Sequence, residues 1–251
     1  MRDTLASVAF LLVAGAGTAL ACGLGAIPVF LLGERAAWLR PALWGLAAGL
    51  MAVASVEGLL RPALRSGSPG QAGAGLLGGV LFLLAMRRGM RGRDVRVGDL
   101  RGAGVRRSAL VFAVLLVHSL PEGLAMGAAH ASGSRGLSLF VLAAIALQNV
   151  PEGTAVAIPM ASAGFGKGQQ FWAAVLTSVP QPIGAPLAYL LVERVAPLLP
   201  VSLAFAAGAM LAVVVAELVP EAFTRATWRG ATGGALVGAA LMLALSAALG
   251  V

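Results

Sequence analysis

The sequence predicts an all-α membrane protein with eight transmembrane helices in one domain. Hydrophobic residues make up 59% of the chain and charged residues 11%, and the mean hydropathy is +0.92. Such a chain has too little polar surface to cover a water-soluble globule. A span needs about 20 apolar residues, so the 251 residues accommodate about eight spans with short connections. The 34 glycines suit closely packed transmembrane helices.

The apolar runs between clusters of charge place the helices in chain order. The first run continues through Gly23 to Leu32, which is too long for the core of a signal peptide, so we expect a retained helix. The segment 88–107 is rich in arginine and glycine without an apolar period, which predicts a basic loop. The eight helices are predicted at about 5–32, 39–61, 71–87, 108–130, 136–160, 169–192, 198–222 and 231–250.

The loop charges predict the orientation of the chain, because cytoplasmic loops carry the excess of arginine and lysine. The cations of one side are Arg35, Arg40, the eight arginines from Arg87 to Arg107, Lys167, Arg225 and Arg229. The other side holds Arg2, Arg61, Arg65, Arg135 and Arg194. Both termini are therefore predicted outside, and the basic loop in the cytoplasm. Most of the net charge of +8 comes from loops that must be positive for the chain to keep this orientation. The positive charge therefore does not indicate a nucleic-acid partner, and we expect none.

Two related hexapeptides place carboxylates inside apolar helices. They are His-Ser-Leu-Pro-Glu-Gly from His118 and Gln-Asn-Val-Pro-Glu-Gly from Gln148. A charge at the bilayer centre costs about 2.5 to 3.5 kcal/mol, so these glutamates should face a polar cavity and hold a cation. Residues four apart share a helix face, which pairs His118 with Glu122 and Gln148 with Glu152 on antiparallel neighbours. These nitrogen and oxygen groups suit Zn²⁺, Fe²⁺ or Mn²⁺.

The prolines of the two hexapeptides, Pro121 and Pro151, lack a backbone N–H, so we expect them to disturb the fourth and fifth helices and expose carbonyl groups one turn back. Discontinuous helices are how transporters build ion sites near mid-membrane. By contrast, the single cysteine, Cys22, is interpreted as a packing residue and excludes an intramolecular disulfide. His130 is expected at the membrane interface.

A sequence motif that occurs twice in the chain predicts an inverted repeat, with three helices on each side of a central pair in a 3+2+3 arrangement. Ala47–Met51, followed by Glu57, resembles Ala206–Met210, followed by Glu217, in helices that cross the membrane in opposite directions. The alternative is a small-residue packing motif common in alanine-rich proteins. Glu57 and Glu217 line a transport route or bond to neighbouring helices, and the sequence leaves both interpretations open.

Several of these motifs, in the same order, resemble those of the ZIP (Zrt/Irt-like protein) metal transporters, and in particular the branch of the bacterial GufA proteins. The two hexapeptides match the fourth- and fifth-helix motifs of that family. Pro180–Gly184 matches its sixth-helix Pro-Glu-Pro-x-Gly, and Ala206–Glu221 matches its seventh-helix motifs. The resemblance covers nearly the whole chain.

The resemblance implies a metal site near mid-membrane. Its ligands would be His118, Glu122, Gln148 and Glu152, with Asn149 at an adjoining second position. Two residues depart from the family pattern: Ser119 stands where relatives commonly have Asn, and Gln181 where many have Glu. Because Gln181 removes a negative ligand from the second position, we expect one tight site with a weak or absent second one.

The implied function is transport of divalent transition metals into the cytoplasm by alternating access, with zinc first and iron, manganese or cadmium as further substrates. The metal is substrate, and no resident cofactor is expected. A passive divalent-cation channel is the alternative. An intramembrane metal-dependent enzyme is disfavoured, because the chain has neither His-Glu-x-x-His nor Gly-x-Ser-x-Gly. The expected partners are the metal ion and the lipid bilayer of a bacterial inner membrane, and homodimer formation is left open.

Overall fold

The computed structural model describes residues 2–90, 103–224 and 226–251. These residues form helices and no strands, and eight of the helices are long and apolar enough to cross a membrane. The predicted all-α class with eight spans is confirmed. The spans are α1 (Asp3–Leu32), α2 (Arg35–Ser66), α3 (Pro69–Gly89), α4 (Val111–Ala131), α5 (Arg135–Ser162), α6 (Lys167–Arg194), α7 (Leu198–Ala222) and α8 (Trp228–Leu249).

The predicted basic loop 88–107 lies largely outside the described residues. The helix that contains α3 extends to Met90, and the helix that contains α4 begins at Ala103. Arg225, one of the cations used for orientation, is also outside the described residues. The orientation of the chain therefore stays a prediction from the loop charges.

Four of the eight spans are irregular, and they form two matching pairs. In α1, helix Arg2–Leu24 is followed by Ile27–Leu32, and in α6, helix Lys167–Thr177 is followed by Pro180–Arg194. In α2 and α7, π-helical turns occupy Val56–Leu60 and Val214–Leu218. Each π turn comes just before a proline, whose ring would clash with the carbonyl four residues back, and the widened turn makes room for it.

The prolines of the two hexapeptides do not open their helices as the sequence led us to expect. Helices Ala103–Ala131 and Arg135–Ser162 run through Pro121 and Pro151 without a break. The discontinuities lie instead in α1 and α6, the helices that pack against α5 and α4. A proline inside a closely packed bundle is tolerated because neighbouring groups satisfy the freed carbonyls.

The packing of the spans has the pattern of an inverted repeat. α2 packs most extensively against α8, and α3 against α7, while α4 packs against α6 and α5 against α1. In such a repeat, α1, α2 and α3 correspond to α6, α7 and α8, and α4 corresponds to α5. The contact of α2 with α8 then corresponds to that of α7 with α3, and the contact of α4 with α6 to that of α5 with α1. The matching irregularities of α1 with α6 and of α2 with α7 follow the same correspondence.

Candidate metal centre

Glu122, near the middle of α4, joins three helices through its carboxylate. The side chain is 1% exposed. Its Oε1 accepts a hydrogen bond from Nε2 of Gln148 on α5 at 2.5 Å, and its Oε2 accepts one from Nε2 of Gln181 on α6 at 2.7 Å. Both oxygens are therefore held by neutral amide donors, which stabilise a buried negative charge without cancelling it.

Gln181 belongs to a closed network of neutral side chains. Its Oε1 accepts hydrogen bonds from Oγ1 of Thr18 at 2.7 Å and from Nδ2 of Asn149 at 3.0 Å. Asn149 also donates to the carbonyl of Thr18 at 2.7 Å and accepts from Nε2 of Gln181 at 3.2 Å. This network ties α1, α5 and α6 together beside Glu122, and it contains no charged ligand.

His118 lies one turn before Glu122 and contacts α7. Its Nε2 is 3.0 Å from Oε2 of Glu217, which lies in the π turn of α7. A cavity of about 350 Å³ is lined by Glu217 together with Arg40, Arg87 and Glu221. Because the two arginines belong to the predicted cytoplasmic side, this cavity leads from that side to the partner of His118.

Glu152, the second glutamate of the hexapeptide pair, has a different environment. Its side chain is 3% exposed, and no hydrogen bond or ion pair to it is found among the described residues. It lies one turn after Gln148, whose amide bonds to Glu122. One turn away on α5, Oε1 of Gln148 is buried and also lacks a hydrogen-bond partner within the described part of the chain. Buried oxygen atoms without donors are rare in native proteins.

The glycines of the two Pro-Glu-Gly sequences bring these helices together. A Cβ on Gly123 would lie 2.6 Å from the carbonyl oxygen of Gln181, and a Cβ on Gly153 would overlap the carbonyl oxygen of Cys22. Only glycine allows the backbones of α4 and α6, and of α5 and α1, to approach this closely. Each glutamate is thereby placed at the irregular part of its neighbouring helix.

Four of the predicted site residues are joined by hydrogen bonds where α4, α5 and α6 meet; they are Glu122, Gln148, Asn149 and Gln181. His118 lies one turn before Glu122, and Glu152 lies one turn after Gln148. Ser119 does not join them, because its hydroxyl donates to the carbonyl of Leu115 in its own helix at 3.1 Å. Within the described ranges, no three His, Cys, Asp or Glu side chains are arranged to hold a metal ion.

The two acids considered for a transport route differ in their contacts. Glu217 bonds to His118 and lines the cavity described above. Glu57, at the related position in α2, forms an ion pair with Arg61 one turn later. Glu57 is therefore engaged on its own helix, whereas Glu217 contacts the centre directly.

His130, expected at the interface, is only partly buried. Its ring stacks on Phe10 with the centroids 5.2 Å apart and lies 5.4 Å from the ring of Tyr189. Its Nδ1 is 3.2 Å from Oγ of Ser138. These contacts on α1, α5 and α6 give it a packing role away from Glu122.

Sequence reasoning missed one residue of α1 that reaches the centre, Thr18, which bonds to Gln181 and Asn149. The available signal was a hydroxyl in the middle of an apolar helix. Cys22, one turn later, packs as expected in a cluster of buried apolar residues, with its sulfur 3.6 Å from Oγ1 of Thr177.

The structure is that of a polytopic membrane protein, with eight apolar spans that enclose buried carboxylate, imidazole and amide groups. The sequence profile described as ZIP Zinc transporter matches residues 94–246. Zinc transporter GufA of Myxococcus xanthus is 36% identical over 82% of this chain and 85% of its own length. Zinc transporter ZIPB of Bordetella bronchiseptica is 34% identical over 97% of this chain and 82% of its own length.

A putative zinc transporter of Arabidopsis thaliana is 35% identical over 83% of this chain, although the match spans only 34% of that longer protein. The chain belongs to the ZIP zinc transporter family. The predicted resemblance to this family and to GufA is confirmed.

Proposed function

We propose that the protein is a carrier that moves divalent transition-metal cations into the cytoplasm by alternating access. Zinc is the first candidate substrate, since the relatives reported above are named zinc transporters, and iron, manganese and cadmium are further candidates. The observation that carries the proposal is the side chain of Glu152, which is buried and has no hydrogen-bond donor within the described residues, one turn after the Gln148 that bonds to Glu122. A cation between the two carboxylates balances both charges.

The ligand set consists of His118, Glu122, Gln148 and Glu152. One imidazole nitrogen and the oxygens of two carboxylates and an amide suit borderline divalent ions. To bind the ion, His118 must leave Glu217, and Glu122 must exchange an amide donor for the metal. These exchanges are reversible at low cost because each lost contact is replaced by a metal–ligand bond.

The second metal position is neutral in this chain. Gln181 and Asn149 bond to each other and to Thr18, and Ser119 bonds to its own helix. A second divalent ion would find amide groups there and would lie close to the first ion, with no added carboxylate to offset the repulsion. We therefore propose one tight metal site per chain.

The direction of transport is the one that the family resemblance implies, and a path from the centre to the predicted cytoplasmic side is supported by the cavity between Glu217 and the arginines of that side. Arg40 and Arg87 line this cavity, and Glu217 contacts His118 at its inner end. Alternating access is supported by the inverted packing pattern and by the discontinuous helices α1 and α6. We place the protein in a bacterial inner membrane.

The test is uptake of zinc into proteoliposomes that contain the purified full chain. We expect saturable uptake that is abolished or reduced at least tenfold by Glu152→Ala and by His118→Ala. The matched control is Glu193→Ala, which removes an exposed glutamate of α6 that bonds to Thr4 far from the centre. Undiminished uptake in both site variants would refute the proposed site, and flux that does not saturate would favour a channel over a carrier.

A further inference from the structure

A cavity of about 570 Å³ opens at the face of the protein that the loop charges place outside. It lies where the first turns of α1 and α5 meet the end of α6, and its volume is in the range of small-molecule sites. Its charged residues are Arg135, the first residue of α5, and Glu193, in the last turn of α6. Among the described residues that line it, none belongs to the metal centre.

The charged groups of this cavity are not paired with each other. Glu193 accepts a hydrogen bond from Oγ1 of Thr4 at 3.0 Å and forms no ion pair with a described residue. Arg135 forms neither a hydrogen bond nor an ion pair in the same part of the chain. The side chain of Tyr189 is 9% exposed and lines the cavity, and its hydroxyl has no hydrogen-bond partner among the described residues. A cation, an anion and a hydroxyl are therefore available to one ligand.

The charged and the apolar parts of the cavity lie at different depths in the membrane. Arg135 and Glu193 are at the ends of their spans. Leu139 lies four residues, about 6 Å, inside α5, and Phe10 lies seven residues, about 10 Å, inside α1. Both apolar side chains are partly exposed, Phe10 to 43% and Leu139 to 41%. Because the headgroup region of a bilayer is about 5 to 8 Å thick on each side, the charges are at the level of the headgroups and the apolar wall is at the level of the acyl chains.

We propose that this cavity binds one phospholipid whose headgroup carries a primary ammonium, as in phosphatidylethanolamine. The phosphate binds to Arg135, whose planar guanidinium can donate two parallel hydrogen bonds to it. The ammonium donates to the carboxylate of Glu193, and the hydroxyl of Tyr189 donates to a phosphate or ester oxygen. The beginning of an acyl chain packs against Phe10 and Leu139. Tyrosine is enriched at this depth because its ring is apolar and its hydroxyl is polar.

Glu193 determines which headgroups fit the cavity. Phosphatidylglycerol carries a phosphate without an ammonium, so its negative charge would face the carboxylate of Glu193 without compensation. Phosphatidylcholine carries a quaternary ammonium, which has no N–H to donate. We therefore expect the ethanolamine headgroup to be preferred over both. The alternative is a crevice that any lipid fills, without a preference among headgroups.

Native mass spectrometry of the full-length protein in a mild detergent tests the proposal, because it counts the lipids that each chain retains. The protein is mixed with phosphatidylethanolamine, phosphatidylglycerol or phosphatidylcholine of identical acyl chains. We expect one phosphatidylethanolamine per chain, retained at least fivefold more tightly than either of the other lipids. Arg135→Gln should weaken its retention at least fivefold, and Glu193→Gln should remove the preference over phosphatidylglycerol.

The matched control is Arg194→Gln. Arg194 is an exposed arginine of the same turn of α6 as Glu193, and it does not line the cavity. This change also removes one surface cation, and we expect it to retain the lipids as the original protein does. A second control is soluble glycerophosphoethanolamine, which has both charged groups and no acyl chain. In large excess it should leave the bound lipid in place.

Equal retention of the three lipids by the original protein would refute the site, and so would unchanged retention in both cavity variants. Displacement of the lipid by glycerophosphoethanolamine would assign the cavity to a soluble zwitterion and overturn the lipid assignment. The readout is lipid retention without added metal and not zinc uptake, because the cavity and the metal centre are separate. Its outcome is therefore independent of the proposed carrier function.

Discussion

Replacing Gln181 by glutamate tests whether a neutral amide at this position limits the centre to one metal ion. In the structure, Nε2 of Gln181 donates to Oε2 of Glu122 at 2.7 Å and to Oδ1 of Asn149 at 3.2 Å. A carboxylate oxygen at the same place donates neither hydrogen bond. The variant therefore brings a second negative charge into contact with Glu122.

The size of the effect follows from the separation between the centres of the two charged groups. Two unit charges about 4 Å apart repel by about 4 kcal/mol at an effective dielectric constant of about 20. Loss of a hydrogen bond to a charged acceptor costs about 1.5 to 3 kcal/mol more. The metal-free variant should therefore be less stable than the original protein by several kcal/mol. A divalent ion between the carboxylates turns the repulsion into attraction, and about 4 kcal/mol corresponds to about a thousandfold in affinity as an upper limit.

Calorimetric titration of the detergent-purified proteins with Zn²⁺ measures this directly. We expect one tight ion per chain in the original protein, and in Gln181→Glu a second ion bound at least tenfold more tightly than any second ion of the original. Thermal unfolding with a chelator should show a lower midpoint for the variant and a larger rise on adding zinc. Two comparable tight sites in the original protein, or an unchanged stoichiometry in the variant, would refute the reasoning.

The control for this variant is Gln170→Glu. Gln170 is a buried glutamine of the same helix, and its Nε2 donates to the carbonyl of Phe165 at 2.7 Å, away from the centre. This change also adds a carboxylate and removes a hydrogen bond. We expect it to lower stability without adding a metal ion, which separates a local electrostatic effect from a general loss of packing.

Three further predictions test the packing, the ligand chemistry and the orientation. Gly153→Ala should destabilise the protein by about 1 to 3 kcal/mol in detergent unfolding, because its Cβ overlaps the carbonyl of Cys22, whereas Gly17→Ala, in open space on α1, should not. The affinity for Zn²⁺ in calorimetric titrations should fall as the pH is lowered, since protons compete for the imidazole and carboxylate ligands, and an affinity independent of pH would argue against these ligands. In a chain without Cys22, an impermeant thiol reagent on intact cells should label Arg135→Cys and not Arg229→Cys, and the reverse pattern would invert the predicted orientation.

The spans of this fold could be predicted from hydropathy because each crosses the bilayer with its own apolar run. The positions of the helix breaks could not. Pro121 and Pro151 indicated breaks in α4 and α5, yet both helices are continuous, and the breaks are in α1 and α6. Whether a proline opens a helix depends on the neighbours that satisfy the freed carbonyls, and the local sequence does not contain that information.

Some features of the candidate site could likewise be predicted from the sequence, and others could not. The pairs His118 with Glu122 and Gln148 with Glu152 follow from spacing within one helix, and the hydrogen bond from Gln148 to Glu122 joins the two helices at this point. The contact between His118 and Glu217 depends on the π turn of α7. That contact joins helices remote in the sequence, so only the packing of the spans reveals it.

The two glutamates of the repeated hexapeptide have related positions and unequal partners, and this asymmetry distinguishes the two carboxylates of the proposed metal site. Glu122 is held by donors on both oxygens, whereas Glu152 has none within the described residues. Gln148 lies between these environments, since its Nε2 donates to Glu122 while its Oε1 has no hydrogen-bond partner in the described part of the chain. A half-turn of this one amide exchanges its two ends, so that Nε2 leaves Glu122 and the oxygen takes its place. In the proposed carrier, this rotation would offer the amide oxygen of Gln148 and the released oxygen of Glu122 to the arriving cation as ligands.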